Sequence, residues 1–143
     1  MIADKKGNAN IIHWSSAKCK RVTRSILASE LYGIAHGFDI VAAIKSMVDK
    51  ALQINLPLIL CTDSKSLYDC LVKLGTTAEK RLMINIMCLC QAYKHREIAE
   101  VKWIKGESNH ADSMTKNKGS TTLKLLIDLN KIRLDIEEWV ERK

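Results

Sequence analysis

The sequence contains little of the material that marks flexible linkers. It has one proline, Pro57, and six glycines among 143 residues. Neither an internal repeat nor a low-complexity tract divides the chain. A chain of about 150 residues buries roughly 70% of its unfolded surface when it folds. We therefore predict a single domain that covers residues 1–143.

Disulfides, a zinc site and a membrane span are not indicated either. The five cysteines are an odd number without a metal-ligand CxxC pair, so reduced thiols are expected at Cys19, Cys61, Cys70, Cys88 and Cys90. No uninterrupted run reaches the roughly 18 apolar residues of a membrane span, and the N-terminus lacks a signal pattern. These features favour an intracellular protein of the cytoplasm or nucleus.

Positive charge is in excess, with 23 basic and 16 acidic residues and a net charge of +7. Such a bias favours polyanionic partners but also fits an ordinary basic protein. One basic cluster precedes a long helical pattern, where side chains and free backbone N–H groups can meet phosphate: Lys18, Lys20, Arg21 and Arg24. A solvated basic loop is the alternative interpretation. A later group could extend this surface: Lys102, Lys105, Lys116 and Lys118.

Aromatic side chains are too sparse for a platform on which bases could stack. Trp14, Trp103 and Trp139 are instead predicted to pack in the core or at its edge. Any nucleic-acid binding should then be directed at the phosphate backbone and depend steeply on salt.

Turn residues and apolar periodicity predict the first half of the chain. Residues 4–8 have the composition of a hairpin turn, and residues 10–14 follow as a short strand. From Thr23, apolar residues recur every three or four positions as far as Leu52, which predicts a long amphipathic helix. Pro57 ends helical structure, and the apolar run 58–61 predicts a strand buried on both faces.

The second half alternates in the same way. Helices are predicted over residues 64–73 and 77–93, followed by a strand over 99–104. Asn109 can cap a short helix, residues 121–129 form another helix, and residues 137–143 form a polar terminal turn. Because helices alternate with strands, the predicted fold class is α/β.

Three acids lie at positions that suit metal chemistry. Glu30 lies on the flank of the long helix, Asp63 directly after a strand, and Asp112 at the start of a short helix. Each also has an ordinary explanation: a solvated helix edge for Glu30, an N-cap for Asp63, and a favourable helix-dipole position for Asp112. Their order favours a shared site, since ligands gather at the carboxyl ends of strands in α/β sheets.

Carboxylates from three elements suit a hard cation such as Mg²⁺, with Mn²⁺ as a substitute. Two such ions about 4 Å apart could activate water and stabilise the leaving oxygen of a phosphodiester. The sequence therefore predicts Glu30, Asp63 and Asp112 as catalytic and metal-binding residues of a nuclease.

The three acids lie within longer recognisable segments: Arg24-Ser-Ile-Leu-Ala-Ser-Glu-Leu-Tyr32, Leu60-Cys-Thr-Asp-Ser64, and Val101-Lys-Trp-Ile104 with Asn109-His-Ala-Asp-Ser-Met-Thr-Lys116. In these segments the chain resembles the ribonuclease H domain of copia-type LTR retrotransposon polyproteins. The resemblance extends from about residue 9 through most of the chain. It implies a mixed sheet flanked by helices and a magnesium-dependent endonuclease that cuts the RNA strand of RNA–DNA hybrids. Glu30, Asp63 and Asp112 would be the second, third and fourth acids of the family's quartet.

The sequence departs from that family in two respects. The first strand, which carries the first aspartate at the centre of the sheet, is missing from the chain as given. The family's product-release histidine has no counterpart in residues 105–108, and His110 is only a loose substitute. Loss of one member of a catalytic group can cost several orders of magnitude in rate. We therefore expect impaired hydrolysis.

A sheet without its central strand would leave apolar edges on the strands ending at Trp14 and near Cys61. Rearrangement, a homodimer, or a strand-donating partner could cover these edges. Two functions are consistent with the sequence. One is a retrotransposon-derived ribonuclease H-like protein that binds nucleic acid or protein without efficient catalysis. The other is an active Mg²⁺-dependent endonuclease.

Overall fold

The computed structural model describes residues 1–117 and 119–140. In this part of the chain there are five α-helices and two small sheets, which confirms the predicted class as mixed α/β. The chain divides into two compact units. Unit 1 comprises Met1–Lys18 and Ile104–Glu137, and unit 2 comprises Cys19–Trp103 with the described residues from Glu138 onward.

Unit 1 begins with the predicted hairpin. Strand β1 (Ile2–Ala3) pairs antiparallel with β2 (Ala9–Asn10). The Asp4 carboxylate accepts hydrogen bonds from the backbone N–H of Lys6 at 2.8 Å and that of Asn8 at 2.9 Å, as turn-forming aspartates commonly do. The Asn8 side-chain amide also donates to this carboxylate at 2.6 Å, and this bond, followed by the backbone bonds, holds the pKa of Asp4 below its ordinary value. The turn chemistry of the sequence is thus confirmed.

The predicted strand over residues 10–14 is wrong beyond Asn10. Residues 11–19 form no regular structure, and Trp14 is 66% exposed instead of packing at an edge. The hairpin is tied to a later segment, because Ala9 N–H donates to the Asn130 carbonyl at 2.8 Å. Among the described strands none pairs with residues 11–14, so nothing holds them extended.

The remainder of unit 1 is built from short capped helices. A 3₁₀ turn (Gly106–Ser108) leads into α4 (His110–Ser113), and α5 spans Thr121–Leu129 as predicted. The Ser120 hydroxyl accepts the Leu123 N–H at 3.4 Å at the start of α5, a common N-cap. Leu126 is fully buried and anchors this helix.

Unit 2 is organised around α1 (Ile26–Leu52), the predicted long helix. The Ser25 hydroxyl accepts the Ala28 N–H at 3.1 Å and lies 2.5 Å from a carboxylate oxygen of Glu79. The helix ends at Gln53, which adopts a left-handed conformation. Its inner side contributes Ala28 and Leu31 to the core.

By length and composition, α1 could also cross a membrane. The expectation that no segment could do so rested on uninterrupted apolar runs, and α1 corrects it because its few charged side chains are spread along a mainly apolar helix. A single helix of this kind is weak evidence, since core helices of soluble proteins pass the same test. The compartment remains a prediction.

The larger sheet has three strands in the order β3-β4-β5. Strand β3 (Ile59–Thr62) runs parallel to β4 (Glu100–Ile104), with Leu60 opposite Val101. The expectation that β3 is buried on both faces is wrong, since Ile59 is 43% exposed. As an outer strand, β3 has an unpaired edge among the described strands, as predicted for the strand near Cys61.

Helices form the crossover between these parallel strands. Helix α2 (Lys65–Asp69) continues into a π-helical turn (Cys70–Leu74), and a 3₁₀ turn (Lys80–Leu82) precedes α3 (Met83–Lys94). The predicted apolar side of the second helix is confirmed, because all four of its members are buried: Leu82, Ile86, Leu89 and Tyr93.

Strand β5 (Ile136–Trp139) replaces the first three residues of the predicted polar terminal turn, whose last residues, 141–143, lie outside the described part. The last two residues of β5, Glu138 and Trp139, contact lysine side chains of unit 2. The Lys73 ammonium pairs with the Glu138 carboxylate at 2.8 Å, and the Lys102 ammonium lies 5.0 Å from the centre of the Trp139 ring. Glu138 and Trp139 of the strand thus both contact lysines of unit 2.

Burial of α3 yields a direct stability test. Ile86→Ala removes a side chain with no exposed surface, whereas Ile84 on the same helix is 74% exposed. We expect Ile86→Ala to lower the free energy of unfolding by about 2 to 5 kcal/mol. Ile84→Ala should change it by less than about 0.5 kcal/mol. Urea unfolding followed by circular dichroism measures both, and equal losses would contradict the described packing.

Candidate functional site

Asp63 directly follows β3 and lies at its carboxyl end. Its N-cap interpretation is wrong, because Ser64 is the N-cap of α2 and its hydroxyl accepts the Leu67 N–H at 3.4 Å. The Trp103 indole N–H donates to the backbone carbonyl of Asp63 at 3.3 Å. Within residues 1–117 and 119–140, no hydrogen bond or ion pair involves the Asp63 carboxylate. This acid therefore has no capping role.

Glu30 lies in the second turn of α1, next to the buried Leu31. Its side chain is half-buried, as expected for a carboxylate on the flank of the apolar stripe. Glu30 and Asp63 both belong to unit 2.

Asp112 lies in the first turn of α4, in unit 1. The Asn109 side chain caps this helix by accepting the Ala111 N–H at 3.1 Å, as predicted. The Asp112 carboxylate forms an ion pair with Lys116 one turn later. Pairs of this kind on an exposed helix contribute only about 0.3 to 0.5 kcal/mol. Lys116, predicted to contact nucleic acid, thus also balances a predicted metal ligand.

The three predicted metal ligands do not form one group within either unit. In the described part of the chain, no three His, Cys, Asp or Glu side chains gather in a way that could hold a metal ion. The two-metal site for Mg²⁺ or Mn²⁺ at Glu30, Asp63 and Asp112 remains a prediction.

The basic residues before α1 are solvent-exposed. Lys20, Arg21 and Arg24 precede the helix in unit 2, while Lys18 closes the first segment of unit 1. The Arg21 guanidinium lies 4.9 Å from the centre of the Tyr32 ring, so a cation–π contact orients it on the first turns of α1. No acidic residue occupies the first turn of this helix.

The later lysines contribute less to such a surface. Lys102 pairs with Glu100 at 3.0 Å and its side chain is largely buried, so it is poorly placed to contact phosphate. Lys105 is exposed, and Lys118 lies outside the described residues. Trp103, under the Lys65 ammonium at 5.3 Å, packs at the edge of the core as predicted.

The cysteines are free thiols, as expected. Cys70 is buried, while Cys61 and Cys90 are half-buried; burial raises the pKa of all three. A raised pKa disfavours the thiolate, which is the form that acts as a nucleophile or binds metal. These cysteines are therefore best explained as core thiols.

His110 cannot act as a solvent-exposed histidine. Only 5% of its surface is accessible, and its Nε2 atom has no hydrogen-bond partner in the described structure. Burial lowers its pKa, and hydrogen bonding to the backbone of Ser108 and Thr122 only partly opposes that shift. His110 is a structural residue, and its interpretation as a substitute for a product-release histidine loses support.

Two depressions were not predicted from the sequence. The one in unit 2 has a volume of about 650 Å³ and lies where α1 ends and β3 begins, with Lys45, Asp49 and Arg96 on its wall. The Lys45 ammonium bonds to Asp49, which lowers the pKa of that carboxyl group, and to the Asn55 side chain at 2.9 Å. The other, of about 320 Å³, lies in unit 1 beside Asp112 and the start of α5. The first lining combines segments 38–58 and 95–99, whereas the second comes from residues 106–122, and neither follows a sequence pattern.

No family model matches this chain, and no curated protein or solved structure shows significant similarity to it.

Burial of His110 predicts a pH dependence of stability. Its pKa is lower in the folded state than the value of about 6.5 expected in the unfolded state, so the unfolded state binds the proton more readily. The resulting stability is present above about pH 6.5 and is lost as the pH falls toward the folded-state pKa. His110→Gln should flatten this dependence.

Urea midpoints at pH 7.5 and pH 5.5 measure the effect. His13→Gln, at an exposed position of the irregular segment 11–19, is the control and should retain the wild-type difference. If His110→Gln kept the wild-type difference as well, the assignment of this dependence to His110 would be wrong.

Proposed function

We propose that this protein is a ribonuclease H-like module of retrotransposon origin that binds nucleic acid and has little or no hydrolytic activity. The observation that carries the proposal is the exposed basic segment Lys20, Arg21 and Arg24 at the start of a 27-residue helix without an acid in its first turn. Basic side chains and the positive end of the helix dipole both favour phosphate there.

The ribonuclease H-like part of the proposal rests on the resemblance together with two features of unit 2. A long helix that carries Glu30 precedes β3, which ends directly before Asp63 and is parallel to β4. This order agrees with what the resemblance implies for a mixed sheet flanked by helices.

The expectation of weak catalysis is supported by the arrangement of the acids. Two-metal cleavage needs several carboxylates around a shared pair of ions. Among the described residues no group of three metal-ligating side chains is assembled, and Asp112 already pairs with Lys116.

Protein binding is a related role, because the outer edge of β3 could accept a strand from a partner.

An active Mg²⁺-dependent endonuclease is the second candidate. The observation in its favour is Asp63, whose carboxylate lies at the carboxyl end of a parallel strand and is not used to cap α2. An acid without a structural role at this position is a candidate metal ligand.

Binding to an RNA–DNA hybrid tests the main proposal. A triple substitution of Lys20, Arg21 and Arg24 by alanine should weaken binding. Each lost phosphate contact reduces the number of counterions that binding releases. The slope of log K against log salt should become shallower by about 2 to 3 if all three contact phosphate. Fluorescence anisotropy over a series of salt concentrations measures this slope.

The matched control removes the same charge elsewhere. Alanine at Lys5, Lys6 and Lys124, which are exposed residues of unit 1, should leave the slope nearly unchanged. Equal effects of the two triple variants would show that net charge, and not the segment before α1, determines binding. The basic-segment proposal would then fail.

Cleavage of a labelled RNA–DNA hybrid with Mg²⁺ or Mn²⁺ separates the two candidates. We expect wild-type protein to cut no faster than Asp63→Asn, since no group of three metal-ligating side chains is assembled among the described residues. Asp128→Asn, an exposed acid on α5, is the control. Cutting by the wild type and by Asp128→Asn that Asp63→Asn abolishes would establish the endonuclease and refute the proposal of weak catalysis.

A further inference from the structure

The solvent side of α1 has almost no charge. We define the outer face of α1 as the residues that recur along this side of the helix: Ser29, Gly33, His36, Ile40, Ala43 and Met47. Five of them are exposed and Ile40 is half-buried, with Met47 exposed to 72%. A Cβ added at Gly33 would meet no atom within 4 Å, so the face is open there.

A surface helix normally places charged residues opposite its buried stripe. On the outer face of α1, by contrast, no Asp, Glu, Lys or Arg occurs, and four of its six residues are glycine, alanine, isoleucine or methionine. From Ser29 to Met47 this row is about 27 Å long, at 1.5 Å of rise per residue. An apolar surface of this kind, in contact with water, indicates a binding partner.

Two charges flank this face and indicate which partner it is. Asp39 and Lys50 are both exposed, and neither forms an ion pair in the part of the chain that the structure describes. They are separated by three helical turns and therefore lie on the same flank. In an antiparallel pair of identical helices, residues on the same flank of each helix face one another across the two-fold axis.

The positions of the apolar and charged residues agree with one axis. The midpoint between Ile40 and Met47 lies within about 1.5 Å, one residue of helical rise, of the midpoint between Asp39 and Lys50. A single two-fold axis near Ala43 thus places Ile40 against the other copy's Met47. The same axis places Asp39 near the other copy's Lys50, and symmetry repeats both contacts.

We propose that the outer face of α1 is a self-association surface on which two copies of this chain pack antiparallel. Ala43 lies at the axis, where a small side chain allows helices to approach to about 8 to 10 Å. Two symmetry-related Asp39–Lys50 pairs lie along one flank of the contact, at equal distances on either side of the axis. This inference is independent of nucleic-acid binding, because it uses a different part of α1 from the basic segment.

Charge reversal tests the pairing directly in the full-length chain. Asp39→Lys should weaken dimerisation at least tenfold, measured as the dimer Kd by sedimentation equilibrium, because the introduced lysine would face Lys50 of the other copy. Lys50→Asp should weaken it similarly. The double variant Asp39→Lys/Lys50→Asp should recover most of the affinity, since it restores opposite charges with their positions exchanged.

An apolar substitution and its matched control test the centre of the contact. Met47→Glu should yield a monomer, whereas Met87→Glu, at an exposed methionine of α3, should leave the dimer intact. Circular dichroism of each variant excludes unfolding as the cause. Ala43→Cys, with Cys19 and Cys88 replaced by serine, should form a disulfide-linked dimer under mild oxidation.

Several outcomes would overturn the proposal. A wild-type chain that stays monomeric up to about 100 μM would show that a second copy does not cover this face, because a dimer with a higher Kd would not be stable. A dimer unaffected by Met47→Glu would show the same. Failure of the double charge variant to recover affinity would refute the antiparallel arrangement. Monomeric protein that binds phosphatidylcholine vesicles through Met47 would assign the face to lipid instead.

Discussion

Parallel pairing of β3 with β4 is the constraint on which unit 2 depends. Parallel strands cannot be joined by a tight turn, so the chain must cross over through a helical connection. Here the connection runs through α2 and α3, and its apolar side chains, with Tyr68 and Ile86 at the centre, fill the space between helices and sheet. The same pairing fixes the register and brings Trp103 opposite Thr62.

That register also determines the chemistry available at the end of β3. With Trp103 beside the strand end, its indole N–H holds the Asp63 backbone, while Ser64 takes over the capping of α2. The Asp63 carboxylate is thereby left without a structural task. At the opposite end of the strand, the link between Lys45, Asp49 and the segment around Leu56 fixes the chain as it leaves α1. The segment before β3 is therefore fixed by hydrogen bonds to Asp49, whereas the residue after β3 is an acid whose carboxylate is not used in the fold.

Helix α1 serves two surfaces at once. Its inner side supplies Leu31 to the core, and its N-terminal end follows the exposed basic residues that support nucleic-acid binding. Its outer face carries small and apolar side chains where charged ones would be expected. Because it is apolar on both sides, α1 is long and apolar enough to cross a membrane. The flanking Asp39 and Lys50 nevertheless suit a second protein copy better than lipid, because charged groups are costly in hydrocarbon.

Several elements could be predicted from the sequence because their patterns are local. Periodicity identified α1 and the buried side of α3, turn chemistry identified the first hairpin, and the Asn109 cap was predicted correctly, since caps and stripes are encoded within one or two helical turns. The other features depend on contacts between distant segments and became apparent only in the folded chain. Strand β5 pairs with β4 and contacts Lys73 and Lys102, and the strand predicted to end at Trp14 did not form because no described strand pairs with it. An acid can cap a helix, pair with a lysine or remain without a structural partner. Which of these occurs depends on the groups that folding brings next to its carboxylate, and the spacing of residues in the sequence does not determine those groups.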